Sequence, residues 1–236
     1  MNTHTIILAA GKGTRMNTNL PKVMQPLGGM SLIEHVISTA QEISEKITVV
    51  IGHQKNLLKE HLAEIDPIIE TVNQENQLGT AHAVKTASHL IQDDEKVLIL
   101  YGDVPLISTK TIQSLLDSKN KCTLLSMILS DPTGYGRIVS NEENLALKII
   151  EQKDASEDQR KIKEVFTGIL LIDGSLLRPA LEEINNQNAA NEYYLTDLVE
   201  ILSSKGVKIN CIQANPTEVL GANNKHELHE LESILR

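Results

Sequence analysis

Leu8-Ala9-Ala10-Gly11-Lys12-Gly13-Thr14-Arg15-Met16, with Pro21-Lys22 close behind, is the stretch on which the reading of this chain turns. The apolar run Thr5–Ala10 reads as a strand that ends directly in a turn holding two glycines, with Lys12, Arg15 and Lys22 within reach. Glycine has no Cβ and tolerates positive φ, so backbone N–H groups in such a turn can close around an anion. Arg15 can fork onto phosphate oxygens, while Lys12 and Lys22 act as point charges. A tight surface turn with incidental charges is the competing reading of the loop taken alone. The stretch matches neither familiar glycine motif. A Walker loop ends in Gly-Lys-Ser/Thr, whereas Gly13 precedes Thr14-Arg15, and a dinucleotide fingerprint needs a glycine where Met16 stands.

From that strand outward, apolar runs and helical periodicities alternate. The Ser31-Leu-Ile-Glu34 capping box opens a helix with Leu32, Ile33, Val36, Ile37 and Ala40 on one face. Lys46–Ile51 reads as a strand, Gln54–Ala63 as a helix with a Leu57, Leu58, Leu62 stripe, and Ile68–Val72 as a strand. Thr80–Leu90 reads as a helix with Ala83, Val84 and Ala87 inward, and Lys96–Tyr101 as a fourth strand. Continuous apolar strands between amphipathic helices predict a parallel sheet covered on both faces. In the second half, Cys122–Leu129, Gly136–Val139, Ala146–Gln152 and Val165–Ile172 are strand candidates that predict an antiparallel or mixed edge. Asp154–Lys163 is a charged stretch and Asn185–Asn191 a polar one, both read as loops or exposed segments. Asn224-x-x-Glu227 caps a last helix whose expected buried stripe is Leu228, Leu231, Ile234 and Leu235. The fold class is therefore α/β, a Rossmann-like, mostly parallel mixed sheet flanked by helices. Residues 1–236 are read as one domain, with a nucleotide-binding half over 1–110 and a sugar-binding half over 111–236.

Composition narrows the function classes. Of 236 residues, 41% are hydrophobic, enough for a packed core, and the net charge is −9. An acidic surface disfavours nucleic-acid backbones, and with no Trp and one Phe there are few platforms for stacking bases. Two cysteines, Cys122 and Cys211, lie in separate apolar runs and predict free buried thiols, not a disulfide scaffold or zinc site. The first strand starts almost at Met1, so no signal peptide is expected, and no apolar run approaches the ~20 residues that span a bilayer. The expectation is a soluble, cytoplasmic chain without nucleic-acid or membrane partners.

Three further stretches carry chemistry. Asp103, in Tyr101-Gly102-Asp103-Val104-Pro105, projects from a strand end beside a glycine. Alone it serves equally as a turn residue before Pro105; at the same sheet edge as a phosphate loop it reads as a Mg²⁺ ligand, since that ion takes one or two carboxylate-type oxygens plus phosphate and water. Asn73–Thr80 joins a strand to a helix, and an amide such as Gln74 offers the mixed donor and acceptor that a pyrimidine edge requires. A plain helix cap is the alternative there. Gly134-Tyr135-Gly136-Arg137 and Glu192-Tyr193-Tyr194-Leu195-Thr196-Asp197 hold three of the five aromatic residues and suggest the wall of a polar, sugar-sized pocket. Glu151 can accept from sugar hydroxyls. No Ser/His/Asp or Cys/His arrangement is evident, so covalent catalysis has no support.

Together these pieces resemble the sugar-phosphate nucleotidyltransferases, and among them the uridyltransferase domains of the bacterial bifunctional enzymes that make UDP-N-acetylglucosamine. The shared segments are 8–16, 20–22, 77–80, 100–106, 131–137, 153–155 and 192–197, in the family's order and across nearly the whole chain. The glycine-rich start marks only the superfamily; Gly134–Arg137 and Glu192–Asp197 are more specific. The resemblance implies the nucleotide-diphospho-sugar transferase fold and roles by position. Leu8, Ala9, Ala10, Gly11 and Gly13 would lie against the nucleotide, and Gln74, Gly79 and Thr80 would recognise uracil. Arg15, Lys22 and Asp103 would be catalytic, with Lys22 also on the nucleotide phosphates. Asp103 and Asn223 would hold Mg²⁺. Tyr101, Gly136, Glu151, Phe166, Tyr194 and Thr196 would surround the sugar. The implied reaction joins UTP to N-acetyl-α-D-glucosamine 1-phosphate and releases pyrophosphate, a step toward peptidoglycan and the cell wall. The alternatives are transfer of another base or to another sugar 1-phosphate, or a non-catalytic nucleotide-sugar-binding regulatory subunit. The second conflicts with retention of Arg15, Lys22 and Asp103. Two departures stand out. Phe166 occupies a position where the family usually has a substrate-binding Asn, and a phenyl ring cannot supply those hydrogen bonds. The bifunctional enzymes also continue into a left-handed β-helix of hexapeptide repeats; these 236 residues contain no such repeats, so no acetyltransferase activity is expected of them.

Overall fold

A computed structural model describes residues 2–16, 18 and 20–235. Its central strand is β1 (Thr3–Leu8), all six residues of which are buried. Successive strand side chains point to opposite faces, and β1 feeds two cores accordingly. Ile6 and Leu8 join one cluster; Ile7 and, just past the strand, Ala9 join the other.

A hairpin, β2 (Pro26–Leu27) and β3 (Met30–Ser31), leads into α1 (Leu32–Gln41). The predicted capping box is present: the Ser31 hydroxyl accepts from Glu34 N and the Glu34 carboxylate accepts from Ser31 N. All five residues of the predicted α1 face are buried. Then follow β4 (Lys46–Ile51), α2 (Lys55–Ile65), β5 (Glu70–Asn73), α3 (Thr80–Thr86), β6 (Lys96–Tyr101) and α4 (Thr109–Leu116). The second half runs β7 (Cys122–Ile128), β8 (Arg137–Ser140), β9 (Ala146–Ile150), β10 (Glu164–Asp173), α5 (Gly174–Glu183), α6 (Asp197–Ser204), β11 (Ile209–Gln213) and α7 (Lys225–Leu235).

The nine-stranded sheet is ordered β11-β7-β10-β6-β1-β4-β5, with β8 and β9 extending from β10. Strands β6, β1, β4 and β5 are mutually parallel, so their carboxyl ends share one edge. Strand β10 runs antiparallel between β6 and β7, which is the predicted mixed edge. Helices α3, α5 and α6 cover one face, while α1, α2 and α4 cover the other.

Some sequence expectations are corrected. Leu57 is exposed; only Leu58 and Leu62 form the buried stripe of α2. In α7 only Leu231 is buried, packed on Leu27, Leu32 and Ala222, while Ile234 and Leu235 face outward. The end of the helix meets the β2–β3 turn, where Leu235 lies over Gly28, and that narrow contact leaves Ile234 and Leu235 largely uncovered. Cys122 is buried and Cys211 half-buried, both free, and burial pushes each thiol up to about 12. Among the described residues no helix is long and apolar enough to cross a membrane.

Candidate active site

The parallel register brings the ends of β1 and β6 together. Leu8 lies opposite Tyr101, and Gly102 N–H donates to Leu8 O at 3.0 Å. The glycine loop and Asp103 therefore leave adjacent strands at one edge. Ala10 is buried, its carbonyl accepting from His53 N–H at 3.3 Å. Gly13 has φ +57°, and a Cβ there would lie 2.6 Å from Lys22 Cβ. A side chain would thus both strain the turn and push Lys22 out of place.

Lys22 is the hub. Its ammonium donates to the Asp103 carboxylate and, at 3.1 Å, to Asn223 Oδ1. Two hard oxygen ligands from distant parts of the chain thus converge on one cation. That is a donor set that fits Mg²⁺, which would draw its remaining ligands from phosphate and water. Among the described residues no group of three or more His, Cys, Asp or Glu could hold a metal on its own. The segment carrying Asn223 is tied down from both sides: Ala222 N–H donates to Asp103 O at 3.0 Å, and Asn223 N–H to Glu227 Oε2 at 2.7 Å.

Two cavities meet at this hub. The first, about 330 Å³, is lined by Leu8, Ala9, Gly11, Lys22, Gln74, Gly79, Thr80, Tyr101, Asp103 and Asn223, all predicted. Val23, Gln77, Ala83 and Glu192 line it as well. The second, about 340 Å³, adds Arg15, together with Thr133, Gly134, Tyr135, Thr167 and Glu227, and shares Tyr101, Asp103 and Asn223 with the first. Arg15 and Asp103 thus face one cleft.

At the far end of the first cavity, Gly79 (φ +122°) lets the chain pass the Tyr193 backbone, whose carbonyl a Cβ would meet at 2.4 Å. Ala81 N–H donates to that carbonyl at 2.9 Å, so the start of α3 is braced by the Glu192–Asp197 segment. The Gln74 amide nitrogen donates to Gly79 O at 3.0 Å and to His82 Nδ1 at 2.9 Å. His82 is held below its ordinary pKa by burial and by Lys85, which favours the neutral ring, and the Gln74 N–H selects the tautomer in which Nδ1 accepts. Gln74 therefore retains its carbonyl oxygen as a free acceptor toward a ligand.

The predicted sugar residues divide. Thr196 donates to Glu151 Oε1 at 3.0 Å, and Gly136 backs onto the same carboxylate. Glu151 is held above its ordinary pKa first by burial, then by Asp154 and Glu192, against the Thr196 bond. Glu151 and Tyr194 line a third cavity of about 300 Å³ with Asp154, Asp197 and Glu200. Burial and these carboxylates push Tyr194 up to about 12 and Asp197 to about 6. Tyr101 bridges the regions: it lines the first two cavities, and its phenol is kept neutral by burial, then by Glu151 and Asp103. Phe166 lines none of the three cavities. It is 5% exposed, packed in the main core, with its N–H on Gly136 O at 2.9 Å.

Among the lining residues that the sequence reading did not assign to the site are the polar groups Gln77, Glu192 and Glu227. All three lie inside motifs already singled out. Gln77 donates to Gln74 O at 2.9 Å, a local bond across the turn that spacing alone does not reveal.

Comparison with known proteins agrees with this fold. Residues 5–189 match the family described as MobA-like NTP transferase domain. The chain is 44% identical over 234 residues to Bifunctional protein GlmU of Marinobacter nauticus, covering 97% of this chain and 51% of that protein. It is 46% identical over 237 residues to Bifunctional protein GlmU of Hydrogenovibrio crunogenus, covering 98% and 52%. The chain thus spans about half the length of the curated relatives it matches. A solved UDP-glucose pyrophosphorylase complexed with UDP-glucose superposes with a TM-score of 0.79 at 19% identity, covering 100% of this chain and 98% of that one. A Bacillus anthracis protein described as a glucose-1-phosphate thymidylyltransferase, in complex with sucrose, gives 0.76 at 17%, covering 99% and 95%. These solved structures share the fold, a Rossmann-like mixed sheet flanked by helices. The chain belongs to the MobA-like NTP transferase family.

Proposed function

We propose that this member of the NTP transferase family transfers the uridylyl group of UTP to N-acetyl-α-D-glucosamine 1-phosphate, giving UDP-N-acetylglucosamine and pyrophosphate. The observation that carries the proposal is the convergence of Arg15, Lys22, Asp103 and Asn223 on two cavities with a common wall, beside the Gln74–Thr80 turn. The likeness to the two GlmU proteins supports the choice of base and sugar.

The chemistry joins two anions, so the protein's work is alignment and charge neutralisation. Uracil would enter beside Gln74, Gly79 and Thr80, with the Gln74 carbonyl accepting from the ring N–H. The triphosphate would lie along Gly11, where the turn has room, toward Arg15 and Lys22. An oxygen of the sugar phosphate attacks the α-phosphorus in line as the bond to pyrophosphate breaks. That oxygen is already ionised near neutral pH, a phosphate monoester having its second pKa near about 6, so no general base is needed. Lys22 and Arg15 would offset charge as the leaving group departs. Asp103 and Asn223 would hold Mg²⁺, which when bound screens the phosphate oxygens and fixes their geometry. Glu151, held by Thr196, would accept from a sugar hydroxyl, with Gly136 and Tyr194 beside it. The nucleotide half over residues 1–110 and the sugar half over 111–236 then meet at Tyr101 and Asp103. The reaction fits a soluble enzyme of the cytoplasm feeding cell-wall synthesis.

The test is pyrophosphate release with UTP, CTP or dTTP, Mg²⁺, and a panel of sugar 1-phosphates. Turnover with UTP and N-acetylglucosamine 1-phosphate at least tenfold above every other pair is expected. Preference for another sugar would place the cause at Phe166, which withdraws from the cavities into the core. Absence of turnover with every pair would leave a nucleotide-sugar-binding subunit.

A further inference from the structure

We infer that Glu227 is a positioning residue for the divalent cation, acting through Asn223; the inference rests on the metal reading above. Glu227 stands in the first turn of α7, where its N–H donates to the Asn224 side-chain oxygen at 3.0 Å. That bond alone caps the helix. In an ordinary capping box the carboxylate three residues on would return to the N–H of the capping residue itself. Here it reaches one residue further back. Oε2 accepts from Asn223 N–H at 2.7 Å, and Oε1 accepts from the Asn224 amide at 2.7 Å. The residue so gripped is the one whose side-chain oxygen meets the Lys22 ammonium beside Asp103.

Ala222 N–H is fixed to the Asp103 carbonyl, so both peptide N–H groups leading into the Asn223 Cα are pinned, and the Asn224 side chain just beyond it is held by Glu227 as well. Glu227 itself lines the second cavity with Arg15, Asp103 and Asn223, yet both of its oxygens are engaged by protein donors. A group so placed orients a ligand and does not itself coordinate. A carboxylate near the site also adds negative charge, and the two effects are separable by substitution.

The experiment is titration with Mn²⁺ alone, followed by electron paramagnetic resonance, on the wild-type chain, Glu227→Asp and Glu227→Gln. Aspartate keeps the charge and suits the first turn of a helix, but is about 1.5 Å short of Asn223 N–H. Glutamine keeps the reach and an acceptor but loses the charge. Positioning predicts that Glu227→Asp weakens Mn²⁺ binding by about tenfold or more, the usual cost of removing an outer partner, while Glu227→Gln stays within about threefold of wild type. Glu227→Asp within threefold of wild type, or Glu227→Gln falling as far as Glu227→Asp, would overturn the inference. Thermal unfolding run in parallel registers any loss of helix capping, which by itself would leave the Mn²⁺ affinity where it was. A wild-type chain that bound no Mn²⁺ would sink the metal reading itself, and the inference with it.

Discussion

The two ends of the same parallel strands each carry a basic group paired with an acid, and they have opposite fates. At the carboxyl edge Lys22 meets Asp103 and Asn223, and all three line open space. At the amino edge His4 of β1 lies between Glu95, just ahead of β6, and Thr48 of β4. His4 Nδ1 is 2.9 Å from Glu95 Oε1, and Nε2 is 2.8 Å from the Thr48 hydroxyl. In residue type this is a hydroxyl–imidazole–carboxylate relay of the kind that activates a nucleophile. His4 and Thr48 are nevertheless 0% exposed, and Glu95 also accepts from Gln92 N–H at 3.0 Å. A neutral ring, with Nδ1–H donating to Glu95 and Nε2 accepting from Thr48, satisfies every group internally. Burial holds His4 below its ordinary pKa, outweighing Glu95, which keeps the ring in that neutral form. What distinguishes a site from a fastening is access to a cavity, not the presence of reactive side chains.

The largest effect expected from this contrast is at the open end. Asp103→Ala should lower uridylyl transfer by far more than the tenfold that corresponds to about 1.4 kcal/mol, with far-ultraviolet circular dichroism unchanged. Retention of more than a tenth of wild-type turnover in the pyrophosphate-release assay would break the comparison, because Asp103 would then be a fastening too.

The closed end should respond in the opposite currency. His4→Leu leaves the Glu95 carboxylate and the Thr48 hydroxyl short of a partner, and each such buried group costs roughly 1–3 kcal/mol, more when charged. The midpoint of urea unfolding should fall accordingly at pH 7.5, while kcat per folded molecule stays at the wild-type value. The pH dependence sharpens this. Below the ordinary histidine range the unfolded chain takes up a proton at residue 4 that the folded chain resists, so wild-type stability is lost as pH falls through about 6.5. The variant lacks that loss, and the gap between the two should narrow from pH 7 to pH 5.5. A kcat changed in step with stability would show that the amino edge does communicate with the site.

The contrast also explains what was legible in the sequence. The glycine turn, Asp103 and the Gln74–Thr80 segment each follow a strand directly, so once the strands are taken as parallel their meeting at one edge is forced. The alternation of Ile6 and Leu8 against Ile7 and Ala9 likewise follows from the strand period. The His4–Glu95–Thr48 trio was not visible, because it depends on the register of three strands separated by whole helices. Glu227 was visible only as a helix cap; its hold on Asn223 lies in a bond one residue beyond the usual one. Phe166 entered as a sugar contact by position in a motif, and the backbone there turns its ring into the core. Strand β11 was read only as the apolar run around Cys211 and the start of α6 only as a helix entry beside Glu192–Asp197, while α4 and α5 went unread, each being short or, in α5, carrying Pro179 inside the helix.

The smallest expected effect tests whether crowded charge, too, belongs to the open edge. Asp197 begins α6, where the helix N-terminus favours a negative charge by roughly 0.3–1 kcal/mol, yet its pKa is raised to about 6. Burial is the main cause, followed by Glu151, Glu200 and Asp154. For an acid whose folded pKa is raised, the folded state holds its proton between 3.8 and about 6 while the unfolded state has released it. Stability therefore falls as pH rises through that window and stays reduced above it. Asn at this position has the same shape and no charge to confine. Asp197→Asn should accordingly raise the melting temperature by about 1–3 °C at pH 7.5, given that a kcal/mol moves a domain of this size by a few degrees, and should not raise it at pH 4. A variant less stable than wild type at pH 7.5 would mean that the helix terminus outweighs burial and the three carboxylates. An increase confined to the higher pH would set Asp197 apart from His4. Where His4 is satisfied by partners, the carboxylates around the third cavity are held together against their own repulsion, in the part of the fold that faces open space.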